Sequence, residues 1–150
     1  KAAKTAVKQR RIVETHGIRF TCPSDMLFIA LPSGRKLSYA KPRIGENRFG
    51  SECVTYEGVG ATKRWERIES SPGKWVENIT QAVARDILYY ALSTFRCSDV
   101  VMHIHDEVVI EADERVLLPV VCEQMSRVPD WAVGLPLRCD GFETMFYKKE

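Results

Sequence analysis

The segment Val100-Val-Met-His-Ile-His-Asp-Glu-Val-Val-Ile-Glu111 constrains this chain more than any other. Two apolar, strand-forming runs flank His105, Asp106 and Glu107, with no glycine between them. Charge inside such a run costs free energy unless it sits at a turn or meets partners. The pattern therefore predicts two strands joined by a tight hairpin, with His105-Asp106 at the tip. That tip lifts Asp106 out of the sheet. A carboxylate fixed there suits a hard cation, and Mg²⁺ takes one or two carboxylates together with substrate phosphates. Glu107 adds charge beside it or supports it from outside the metal's direct ligands. Two other readings stay open on the residues alone. His103 and His105 alternate, which on a continuous strand places both on one face, as in zinc sites with a His-x-His pair. A metal-dependent hydrolase would then use His103, His105 and Asp106, although the only other histidine is His16. The plainest reading is a solvated polar tip.

The longest helical pattern covers residues 74–94, after the break Ser70-Ser-Pro-Gly73. At 100° per residue, Val76, Ile79, Val83, Ile87 and Tyr90 form a stripe expected to face the core. Lys74, Asn78, Gln81 and Arg85 share the opposite side. A solvated surface explains such a row. So does a nucleic-acid contact: cations can follow phosphates, and carboxamides can pair with acceptors in a minor groove. A non-catalytic DNA-binding module using this row is one functional class.

The remaining chain reads as short elements. Residues 1–16 look helical, with Gly17 as the stop. Met26 to Leu31 and Arg35 to Tyr39 flank Pro32-Ser-Gly34 as a β-hairpin. Residues 41–50 carry a loop signature. Cys53 to Tyr56 and Lys63 to Ile68 suggest another strand pair, and Ser98 to Ile104 is a strand with Val108 to Glu111 as its partner. Asp113 is a plausible N-cap for a helix over 114–127. Leu137 to Tyr147 reads as a last extended segment. This order predicts an α+β fold, an antiparallel sheet with packed helices.

Composition narrows the classes further. Five cysteines, widely spaced and with no C-x-x-C pair, fit reduced and mostly buried thiols of a cytosolic protein. No run of about 18 apolar residues suggests a membrane span, and the start has no apolar signal-peptide core. The formal net charge is +2, which excludes a strongly basic nucleic-acid coat but not a local groove.

Val101-Met-His-Ile-His-Asp-Glu-Val-Val-Ile-Glu111 closely resembles motif C of the family A DNA polymerases, whose core is His-Asp-Glu between apolar strands. Gly73-Lys-Trp-Val-Glu-Asn-Ile-Thr-Gln-Ala-Val-Ala-Arg-Asp-Ile-Leu88 resembles the helix before motif C, particularly in phage-type members. Leu31 to Tyr39 and Pro129-Asp-Trp-Ala-Val-Gly-Leu-Pro136 also resemble that subgroup, so the likeness covers nearly the whole chain in the family's order.

The resemblance implies roles. Asp106 matches the palm aspartate that binds catalytic metals, Glu107 its supporting carboxylate, and His105 the histidine near the primer terminus. Gln81 matches the glutamine that reads the minor groove, with Lys74 and Arg85 on the same helix side. The family places an asparagine four residues before that glutamine, where this chain has Glu77. Asn78 lies three before it, and the helical stripe favours Asn78. The implied cofactor is Mg²⁺ in a two-metal site. The implied partners are primer-template DNA, dNTP and the remainder of a polymerase chain, in the cytoplasm of a bacterial or phage-infected cell. Residues 1–17 would end the fingers, and 18–150 would form part of the palm, with the motif C hairpin at about 100–111. Neither the motif A aspartate nor the nucleotide-binding helix of motif B has a counterpart in the sequence. The chain therefore reads as the C-terminal part of a longer enzyme, inactive alone.

Overall fold

The computed structural model describes residues 1–95, 99–113 and 115–148. The fold is α+β with two antiparallel sheets. The chain forms two compact units, Lys1–Val83 and Ala84–Glu150.

The first unit opens with helix α1, Ala2–Gln9. It is followed by β1 Val13–Thr15, β2 Ile18–Thr21, β3 Met26–Ala30, β4 Lys36–Glu46, β5 Glu52–Val59 and β6 Trp65–Glu69. These strands pair in chain order as one antiparallel meander. The inward residues alternate along β2 and β3, as a sheet with one covered face requires. Ile18, Phe20, Leu27, Ile29, Tyr39 and Val54 meet Ala3, Ala6 and Val7 of α1 in the core.

The helix expected over 1–16 stops at Gln9. Arg10 adopts a left-handed backbone (φ 50) as the C-cap. Its guanidinium donates to the carbonyls of Cys22 (3.3 Å) and Ser24, which holds the chain in that turn. Gly17 (φ 72) serves the β1–β2 turn and not a helix end.

The hairpin predicted around Pro32-Ser-Gly34 is present as β3–β4, with Gly34 at φ 88. The loop expected over 41–50 is mostly strand. β4 continues to Glu46 and absorbs Pro42 in a bulge, where the register shifts between Ala40 and Arg43 and Lys41 takes φ 45. A bulge tolerates a residue without an N–H donor. The actual turn is narrower: the Asn47 side chain accepts N–H bonds from Phe49 and Ser51.

Helix α2, Pro72–Thr94, begins in the first unit and continues into the second. Ser71 caps it: its hydroxyl accepts the Lys74 N–H and its carbonyl accepts the Trp75 N–H, each at 3.2 Å. Pro72 then occupies the first turn, where its missing N–H costs nothing.

The second unit holds β7 Asp99–Ile104, β8 Glu107–Glu111 and α3 Leu118–Met125. Ser98, the expected strand start, lies outside the described residues. So do Cys97 and Glu114. The helix expected from 114 begins instead at Leu118, with Pro119 in its first turn and Leu117 as cap. Asp113 commits its carboxylate to Arg115, accepting the backbone N–H and the Nε–H at 3.0 Å each. These bonds also hold the Asp113 carboxyl below its usual pKa. The segment expected to be extended over 137–147 has no strand partner among the described residues and lies outside both sheets. Pro136 cannot donate to a ladder, and Gly134 (φ 89) turns the chain beforehand. Four cysteines are described and all are free thiols. Cys22 and Cys53 are buried, while Cys122 and Cys139 are half-buried.

Leu27 and Val59 give a contrast within one sheet. Leu27 is 0% exposed and Val59 64% exposed. Leu27→Ala is expected to cost about 3 kcal/mol through reduced burial and a cavity. Val59→Ala should stay within about 0.5 kcal/mol of the parent in a denaturant titration.

Candidate functional site

Ile104 pairs with Glu107, so the β7–β8 connection is the two residues His105 and Asp106. This is the tip predicted from the sequence. Both residues are exposed and Glu107 is half-buried. His105 has φ 54, a region that non-glycine residues enter at a cost of about 1–2 kcal/mol. The Asp106 and Glu107 carboxylates form no hydrogen bond or ion pair with any other described residue, which leaves their oxygens available to a ligand. Below the tip, the register shifts between Val100 and Met102.

The same geometry corrects the His-x-His reading. His103 sits in β7 opposite Val108, whereas His105 has left the strand. The alternation that would align them stops at Ile104. No three His, Cys, Asp or Glu side chains among the described residues converge on a metal position. A closed zinc site needs three or four such ligands. A Mg²⁺ ion that keeps waters and substrate phosphates needs only one or two carboxylates. Asp106 and Glu107 are two carboxylates, too few for the first requirement.

Helix α2 carries the other candidates. Lys74 is exposed and bonds both Glu77 oxygens at 3.1 Å, a surface pair of small energetic weight. Gln81 and Arg85 are exposed and have no side-chain partner among the described residues. Asn78 differs from the other three. It is half-buried, and its Nδ2 donates to the Tyr39 hydroxyl at 3.0 Å. The structure thus sets Lys74, Gln81 and Arg85 on open surface and turns Asn78 toward the sheet.

The expected core stripe holds at Ile79 and Val83 but not at Val76. Val76 is 65% exposed. The helix instead packs Trp75, Ile79, Ala82 and Val83 against the core of the first unit. Trp75 meets Tyr39 edge-on at 4.8 Å between ring centroids, and Tyr39 meets Tyr56 at 4.8 Å. Arg35 adds a bond from its guanidinium to the Ala82 carbonyl at 2.8 Å. Sequence reasoning missed Tyr39 and Trp75 as the residues that set the helix rotation. The usable signal was Tyr39 on the inward alternation of its strand, where a buried hydroxyl needs a partner.

Over 99% of its length the chain is 45% identical to a DNA polymerase of Bacillus phage SP02, in an alignment of 156 residues. The chain spans 24% of that protein, a region on its C-terminal side. No family model matches the chain, and no solved structure matches it. No described helix is long and apolar enough to cross a membrane.

Burial raises the Tyr39 pKa above 10.0, against the opposing Asn78 bond, and burial also raises that of Tyr56. A phenol with a raised folded pKa contributes stability that is complete below its unfolded value and lost as pH climbs past it. The wild-type chain should therefore lose unfolding free energy as pH rises above about 10. Tyr39→Phe should lose about 1 kcal/mol at neutral pH through the missing hydrogen bond and show a shallower alkaline decline. Denaturant titrations at neutral and alkaline pH check both.

Proposed function

We propose that the chain is the C-terminal-side part of a template-directed DNA polymerase of the family A kind, formed of the end of the fingers and part of the palm. The observation that carries this reading is the two-residue tip His105-Asp106 within a segment that reads as motif C. The 45% identity to the phage polymerase supports it.

In this reading Asp106 is a metal ligand for nucleotidyl transfer, and Glu107 supports it with a second carboxylate. Bound Mg²⁺ would supply charge neutralisation at the transferred phosphoryl group and a more acidic primer hydroxyl. His105, on the turn it shares with Asp106, is the residue this reading sets near the primer terminus. Gln81 offers its amide N–H to minor-groove acceptors, which all base pairs present at similar positions. It therefore monitors pair shape more than sequence. Lys74 and Arg85 meet phosphates on either side of it. Asn78 acts from behind, holding the helix on Tyr39 while its remaining amide valences stay available. The metal-binding aspartate of motif A has no counterpart in this sequence, so in this reading it comes from another part of the parent polymerase. Primer-template DNA, dNTP and that remaining chain are the partners, and the infected bacterial cytoplasm is the location.

A second reading, duplex binding without catalysis, draws on the open row Lys74, Gln81 and Arg85. It requires affinity for duplex DNA that is salt-dependent and indifferent to metal.

In the parent polymerase, Asp106→Asn should abolish primer extension and leave primer-template affinity within about twofold, because it removes a metal ligand and no phosphate contact. Extension at near-parent rates would end the motif C assignment. The isolated 150-residue chain should give no extended product in a gel assay with Mg²⁺ or Mn²⁺, and measurable extension would show that a second aspartate is not needed.

A further inference from the structure

The six-stranded sheet has two unlike faces. Helix α1 and the first part of α2 cover one of them. The register fixes what the other face carries. Phe28 lies opposite Ser38, Arg43 opposite Thr55, Glu57 opposite Arg67, and Val59 opposite Trp65. Arg19 and Lys36 complete this face at the other strands, both across from Ala30. No helix of the first unit covers it.

Its chemistry is basic and aromatic. Arg19, Lys36, Lys41, Arg43 and Arg67 stand against Glu14, Glu57 and Glu69, and Glu14 pairs with Arg19 at 3.4 Å. Glu57 is used as an anchor. It accepts from Lys41 at 2.9 Å, from Arg67 at 3.1 Å and from the Trp65 indole N–H at 3.3 Å. Trp65 is thus pinned by its nitrogen on the edge strand while the residue stays 64% exposed. The Lys36 ammonium lies 6.0 Å from the centroid of the Phe28 ring. Arg43 is exposed and has no side-chain partner among the described residues.

We propose that this helix-free face binds single-stranded nucleic acid, with Arg43, Lys36 and Arg67 along the phosphates and Trp65 and Phe28 under the bases. The centre of a protein-binding patch is depleted in charge, and here the centre is the Lys41–Glu57–Arg67 cluster. A cationic surface studded with rings is what a single strand requires, because every base has a face to stack. A duplex offers phosphates but keeps its base faces occupied, so the exposed indole gains nothing from it. The site requires neither metal nor primer. It goes beyond the polymerase reading, in which α2 and the β7–β8 tip carry the DNA contacts.

The test uses the chain itself with fluorescently labelled oligo(dT) and oligo(rU), and a duplex of equal length. Quenching of tryptophan emission on adding oligo(dT) and similar affinity for oligo(rU) are expected, since stacking and phosphate pairing do not use the 2′-hydroxyl. Trp65→Ala should weaken oligo(dT) binding about tenfold. Lys36→Glu with Arg43→Glu should weaken it further and reduce the salt slope by about 0.7 for each phosphate no longer neutralised. These exposed charge reversals guard against a Trp65 variant that misfolds. A loss of duplex affinity in Gln81→Ala with Arg85→Ala reports on the α2 assignment, so a failure of that assignment is distinguishable from a failure here. The proposal is overturned if the charge reversals bind oligo(dT) like the parent, or if only the duplex binds. Absence of binding to any strand also overturns it and leaves the face to a protein partner.

Discussion

A buried phenol that must find an acceptor or donor governs the arrangement of the first unit. Tyr39 is 8% exposed, and its hydroxyl is met by the Asn78 amide. A buried hydroxyl without a partner costs about 1–3 kcal/mol. Helix α2 can satisfy it from only one rotation. That rotation sends Trp75 into the edge of the Tyr39 ring and leaves Val76 in water. It also turns Gln81 outward. The exposure of the candidate DNA-reading row follows from one hydrogen bond and one ring contact on the opposite side of the helix.

This explains what the sequence could and could not reveal. Alternation of apolar residues located β3 and its hairpin partner, because period two survives wherever one face of a sheet is covered. Apolar periodicity also located α2, but not its rotation. Trp75 and Val76 are both apolar and adjacent, and periodicity cannot choose between them when a hydroxyl elsewhere decides. The stretch around Pro42 misleads in another way. Turn-forming residues there mark a bulge inside a long strand, since Lys41 takes the left-handed backbone that a turn would have used. Arg10 does the same at the end of α1, with its guanidinium on distant carbonyls that no local pattern reports. The Asp113 side chain suits a helix cap, yet Arg115 satisfies the same oxygens two residues later. The β7–β8 tip is legible because charge between two strand-forming runs leaves few arrangements, and the observed one is the shortest.

The formal charge of +2 now divides into parts. Lys74, Gln81 and Arg85 present one polar surface on α2. Arg43 and Lys36 belong to a second, on the helix-free face of the sheet. Asp106 and Glu107 supply negative charge at the β7–β8 tip. Near-neutrality of the whole says little about partners when opposite charges are gathered at separate places.

The tip itself runs against local preference, and that conflict is informative. Two-residue hairpin connections with positive φ favour glycine or asparagine, and His105 is neither. A glycine would relieve the backbone but would remove the imidazole and loosen the turn, since glycine has the most conformational freedom to lose. A longer loop would also avoid the strain, but it would set Asp106 on a mobile segment. The two-residue connection between paired strands instead ties the Asp106 backbone to the Ile104–Glu107 pair. Strain of this kind persists where the surrounding structure imposes it and tends to gather at functional positions. In the proposed reading, that strain holds a metal ligand in place beside a reacting strand end, whereas the same backbone at Arg10, His16, Ser24, Lys41 and Lys63 serves turns, a bulge and a helix end.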